Sequence, residues 1–235
     1  MLQIYHYGLL YLCVIEKIIM RLLLVSATVF EIALFLKEIS ATTENAVFSS
    51  YNYNNHQIDV LLTGVGTTHT AFYLGKYLND TYDLAINAGI CGSFTTKLAI
   101  GDVVAINEDC FADLGAEDDE VFLSLEELKL PGTYNVKNES VFTHPIINNL
   151  QVVKGVTVNT THGNLDSIEK FRQRIKADVE SMEGAAFLFA CNQYKIPCIQ
   201  IRSISNYVEK RDKSKWNIAL AIENLNKVLI NFVRQ

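Results

Sequence analysis

Proline is scarce in this 235-residue chain, with 3 in all, tryptophan occurs once, and no run of basic residues exists. So few prolines exclude Pro-rich linkers, and 12 glycines without a repeat exclude a collagen-like chain. Lys and Arg number 20 against 26 Asp and Glu, a net charge of −6. A nucleic-acid groove needs clustered cations to displace counterions, so no nucleic-acid partner is expected. The 5 cysteines, Cys13, Cys91, Cys110, Cys191 and Cys198, are odd in number and contain no C-x-x-C; no histidine lies at zinc-finger spacing from them. They read as reduced, mostly buried thiols of a cytoplasmic protein, with no metal and no cofactor implied. No apolar stretch is long and uncharged enough to span a bilayer, so no membrane partner is expected.

What is present is an ordinary globular composition, 49% hydrophobic and 20% charged. The opening segment, MLQIYHYGLLYLCVIEKIIM, resembles a signal peptide in hydropathy but lacks a basic start and a small-residue cleavage site, and Glu16 and Lys17 interrupt it. Residues 1–19 are expected to be an upstream extension, with one domain over 20–235.

Apolar runs of strand length alternate with segments of helical period. Leu22–Ala27, Leu84–Ala88 and Pro197–Ile204 read as buried strands, with further strands at Ala46–Tyr51, Gln57–Thr63, Val103–Ala112, Val152–Asn159 and Val179–Ser181. Helices are expected over Val29–Ile39, Thr67–Leu78, Leu165–Arg174, Glu183–Tyr194 and Ser214–Val233. Gly115–Asn149 is acidic and reads as an irregular excursion with a helix near Ser124–Lys129. The alternation predicts an α/β fold, one mostly parallel sheet covered on both faces. In such folds ligands gather at the carboxyl ends of strands.

Several residue patterns fall at those ends. Thr63-Gly64-Val65-Gly66 joins a strand to a helix, and Asn87-Ala-Gly89-Ile-Cys-Gly92-Ser93 follows another strand. Each is either a tight turn or backbone that lets a ligand approach closely, at Gly66 and Gly89 in particular. Glu183, at the mouth of a strand, suits a vicinal diol or simply the helix dipole. Met182 beside it covers a sugar face or fills the core. Asn206 offers an amide donor and a carbonyl acceptor, or else caps a turn. Glu31 is a candidate general base or a surface charge.

Together and in this order, TGVG (63–66), NAGICGS (87–93), VESMEGAA (179–186) and QIRSISNYVEKRDKSKWN (200–217) resemble the purine nucleoside phosphorylase/nucleosidase superfamily. The last block looks like its futalosine hydrolase branch, which serves the alternative menaquinone pathway; methylthioadenosine/S-adenosylhomocysteine and aminofutalosine nucleosidases are relatives. The resemblance implies a three-layer α/β/α sandwich around a central mixed sheet, a homodimer, and cleavage of a purine N-glycosidic bond. It also implies that Glu31 aims the attacking water, Glu183 holds the ribose hydroxyls, Met182 packs on the sugar and Asn206 meets the base. His162, in NTTHG (159–163), falls where relatives stack on or contact the base edge.

Two departures sharpen this expectation. Asn87 stands where phosphorylases carry a phosphate-binding Arg, and Ser26-Ala27-Thr28 offers no cation either. A desolvated phosphate would be poorly compensated, so water is the expected nucleophile. Asn206 replaces the Asp of adenine-specific relatives; an amide N–H suits a 6-oxopurine such as hypoxanthine. A carboxylate on the 5′ side chain of futalosine would need a cation, for which Arg211, Lys210 and His69 are candidates. A nucleoside-binding protein without catalysis is the reading from a different class.

Overall fold

A computed structural model describes residues 20–41, 47–140 and 142–235. The extension at 1–19, Cys13, and Ala46 at the start of an expected strand lie outside the described residues. Strand β1 (Arg21–Ser26) is buried after its first residue, as its unbroken apolar run requires. A 3-10 turn over Val29–Ile32 leads into α1 (Ala33–Glu38). The hairpin β2 (Phe48–Tyr53) and β3 (His56–Leu62) precedes α2 (Thr67–Tyr77) and β4 (Leu84–Ser93). Next come β5 (Val103–Cys110), a small hairpin of β6 (Gly115–Asp118) and β7 (Val121–Ser124), β8 (Asn135–Lys137) and the single turn α3 (Pro145–Asn148). The chain closes with β9 (Gln151–Thr157), α4 (Leu165–Arg174), β10 (Val179–Ser181), α5 (Gly184–Tyr194), β11 (Cys198–Tyr207) and α6 (Ile218–Arg234).

The main sheet runs β10-β9-β5-β11-β4-β1-β3-β2, with β8 added to β5. It is mixed: β1 pairs parallel to β3 and β4, while β5 runs antiparallel to β11. The end of β4 also pairs antiparallel with β10, through Val179–Ser93 and Glu180–Gly92. Strands β4, β11, β5, β9 and β10 therefore close into a ring, filled by Cys91, Val104, Ile106, Val153, Val179 and Ile204. One sheet face packs on α1 and α6 and the other on α2 and α5. The three-layer α/β/α architecture is thus present, with half of its sheet curled. Cys91, Cys110, Cys191 and Cys198 are free and buried. Among the described residues no helix is long and apolar enough to cross a membrane.

Three expectations need correction. The glycine-rich NAGICGS is no loop: it continues β4 to Ser93, because β11 pairs with it on one side and β10 on the other. Two-sided pairing overrides the turn preference of its glycines. Likewise β11 runs past Ile204 to Tyr207 through a register shift at Ser205, so Asn206 sits within a strand. In 115–149, Ser124–Lys129 is a turn and not a helix, and the excursion carries a hairpin and β8.

Asn226 ties the core to the later site. Fully buried on α6, it accepts from Phe35 N–H (2.7 Å) and donates to the Glu31 carbonyl (2.8 Å). Asn226→Ala strands both groups, and a lost buried partner costs about 1–3 kcal/mol. Chemical denaturation should show that loss, because the turn that carries Glu31 loses its anchor to α6.

Candidate active site

The carboxyl ends of β1, β4, β10 and β11 surround a cavity of about 410 Å³. Glu31, Met182, Glu183, Asn206 and His162 all line it, so five sequence-predicted residues converge from four segments of chain. Gly66 and Gly89 do not line it and act through other residues. At φ 100°, Gly66 begins α2 and aims its N–H at Glu183 Oε1 (3.1 Å). Gly89 lies inside β4, where a Cβ would stand 2.7 Å from Arg202 Nη1 and 2.8 Å from Glu31 Oε1. The guanidinium and the carboxylate therefore share one side of this glycine.

Glu31 is fixed before any ligand arrives. It closes a capping box, Oε2 accepting from Thr28 N–H (3.1 Å) and Thr28 Oγ1 (3.0 Å). Its other oxygen accepts from Ile90 N–H (3.1 Å). Glu183 follows β10 by two residues and is the N-cap of α5; Oε2 lies 3.6 Å from Arg202 Nη2. Arg202, 1% exposed, also donates to Asn87 Oδ1 at 2.5 Å. Burial pushes the Glu183 carboxyl above the usual range and the neighbouring Glu31 pushes it the same way; Arg202 and the Gly66 N–H oppose them.

Behind Glu183 a second buried carboxylate sets the start of α5. Thr157 Oγ1 accepts from Ala185 N–H (2.8 Å) and donates to Asp109 Oδ1 (2.9 Å), while Gln200 Nε2 donates to Oδ2 (2.8 Å). Burial raises the Asp109 pKa to about 7. The folded chain then holds a proton that the unfolded chain releases near pH 4. The stability this gives is complete below the ordinary aspartate range and disappears as pH rises through about 7. Asp109→Asn should flatten that slope in melting curves taken from acid to neutral pH. Gln200 Oε1, which has no partner among the described residues, can turn to accept from the introduced amide.

At the other end of the cavity, Asn206 Oδ1 accepts from Ser205 Oγ (2.8 Å) and Nδ2 donates to the Tyr207 carbonyl (3.0 Å). One amide hydrogen is left for a ligand. Ser181 also lines the cavity, and its buried hydroxyl has no partner among the described residues. The His162 N–H donates to Glu180 Oε1 (3.0 Å) and its ring Nδ1 pairs with Glu180 Oε2. Arg211 lines the cavity, stacked over Trp216 at 4.9 Å, whereas His69 and Lys210 do not line it.

Sequence reading missed Arg202, Ser181 and Glu180. Arg202 carried a signal: a lone cation within the otherwise apolar strand IQIRSIS, where only a buried partner makes a charge tolerable. It supplies a cation beside Asn87 that neither the Asn87 position nor Ser26-Ala27-Thr28 offers.

A model of the phosphorylase superfamily matches residues 21–234. The chain belongs to that superfamily. Among curated relatives of this superfamily member, the futalosine hydrolase of Acidothermus cellulolyticus is 32% identical over 175 residues, covering 71% of each chain. The futalosine hydrolase of Streptomyces coelicolor is 29% identical over 184 residues, covering 71% of this chain and 74% of its own. Among solved structures, futalosine hydrolase of Helicobacter pylori superposes with a TM-score of 0.74 at 18% identity, covering 92% of this chain and 97% of that one. The adenine complex of the Colwellia psychrerythraea methylthioadenosine/S-adenosylhomocysteine nucleosidase gives 0.73 at 20% identity, covering 91% and 94%. These likenesses share the fold described above.

Proposed function

We propose that this protein hydrolyses the N-glycosidic bond of futalosine, releasing hypoxanthine and dehypoxanthine futalosine. The observation that carries the choice of water over phosphate is the charge balance. Glu31 and Glu183 both line the cavity, while the one buried cation beside them among the described residues, Arg202, is already engaged by Glu183 and Asn87. A phosphate dianion beside Glu31 and Glu183 would meet two carboxylates without an uncommitted buried cation among the described residues; a neutral water meets acceptors.

In this reading Glu183 accepts from the ribose hydroxyls, Met182 covers the sugar, and Glu31 takes the proton of a water attacking C1′. As the C1′–N9 bond breaks toward the base, positive charge grows on the sugar, as in glycosidic cleavage generally. The two carboxylates stabilise that charge. Asn206 turns its free amide hydrogen to the purine, which favours a 6-oxo group over an adenine amine. Exposed Phe30, Val65 and Ile218 at the cavity mouth support a homodimer in which a second copy covers them, and buried free thiols support a cytoplasmic location.

The test is base release from futalosine, aminofutalosine and methylthioadenosine by purified protein. Hypoxanthine should appear fastest. Faster release of adenine assigns the protein to the adenine-specific nucleosidases, and no release from any substrate leaves a nucleoside-binding protein. Mass photometry should give twice the chain mass.

A further inference from the structure

Asn206 can donate a hydrogen bond but cannot give up a proton, so the proposed hydrolysis leaves the departing purine without an acid. A second titratable pair lies on the same cavity wall. Glu180 is 4% exposed on β10 and both of its oxygens are turned to His162, one to the backbone N–H and one to ring Nδ1. Holding Nδ1 fixes the ring and leaves Nε2 as the nitrogen available to the cavity. The ring packs on Phe171, with centroids 4.4 Å apart, and stands edge-on to Phe94 at 6.3 Å. With neighbours against its face, the imidazole presents an edge and not a stacking surface. Arg211 approaches from the segment after β11, its Cβ standing 3.1 Å from where a Cβ on Gly163 would lie. Arg174 and Arg172 lie over the outer rings of Phe171 and Phe94. Glu180 is the anion that meets the imidazole.

We propose that His162, positioned by Glu180, is the general acid that protonates the leaving purine. The proposal rests on the nucleosidase reading above. His162 enters as imidazolium. Its Nε2–H bond breaks and a new N–H bond forms on a purine ring nitrogen as the C1′–N9 electron pair moves onto the base. Water adds to C1′ and passes its proton to Glu31. Return of that proton to His162 through solvent restores both groups, the net change being nucleoside plus water to base plus free sugar. Glu180 touches no reacting atom and is a positioning residue.

The experiment is the pH dependence of futalosine turnover by the wild type, His162→Gln and Glu180→Gln, with melting temperatures confirming that each is folded. His162→Gln is expected to lower kcat about a hundredfold with little change in KM, within the range for loss of a general acid. Its residual rate should lack the alkaline decline of the wild type. Glu180→Gln weakens the hold on ring Nδ1, so kcat should fall while KM stays near that of the wild type, and Glu180→Asp should recover part of the loss; a structural role alone would not give that split. A wild-type kcat in either variant, or a loss confined to KM, overturns the proposal while leaving the nucleosidase reading intact. A wild type that releases no hypoxanthine overturns both.

Discussion

Arg202→Met is expected to give a protein that melts on the order of 10 °C lower and turns over futalosine at least about a hundredfold more slowly. Arg202 is the buried counter-charge for Glu183, and its charge also acts on Asp109. Truncating one partner of a buried ion pair leaves the other uncompensated, at about 3–5 kcal/mol. Here the orphaned carboxylates respond by holding protons more tightly, so Glu183 would enter the reaction neutral and unable to stabilise a sugar cation. Arg202→Lys separates the two effects. The ammonium restores charge but cannot reach Asn87 and Glu183 together, so stability should recover more than turnover. Thermal melting and steady-state kinetics on the same preparations check both; wild-type kinetics in Arg202→Met would contradict the assignment.

Glu31→Gln and Glu183→Gln should fail in different ways. Glu31 is anchored by four protein donors, from Ser26, Thr28 (two) and Ile90, and has one task left, the proton of the water. Its amide variant should bind substrate with a KM near that of the wild type while kcat falls by at least about tenfold, or 1.4 kcal/mol. Glu183 acts in both ground and transition states, since ribose hydroxyls are bound before and during cleavage. Its amide variant should raise KM as well as lower kcat. Matching kinetic signatures in the two variants would contradict the division of labour, and unchanged rates would retire both roles.

The layers of this fold were legible in the sequence because helical and strand periods alternate cleanly; α4 over Leu165–Arg174 and β10 over Val179–Ser181 coincide with their apolar patterns. What escaped depends on partners distant in sequence. NAGICGS looks like a loop by its glycines, and only pairing to β10 and β11 makes it a strand. Curling that strand end toward β10 also delivers Glu180 to His162, a meeting that no local pattern announces. Glu31, Glu183 and Asn206 were readable because each ends or follows a strand aimed at the same edge of the sheet. Arg202 signalled only that a buried partner must exist; which partners it has is visible once Glu183 and Asn87 are placed beside it.

The fate of the nucleophile tests the account most directly. Turnover of futalosine in isotopically labelled water, with and without added phosphate, should release hypoxanthine at the same rate in both cases and place the label on the anomeric oxygen of the sugar. A rate that requires phosphate, with a sugar 1-phosphate as product, would contradict it.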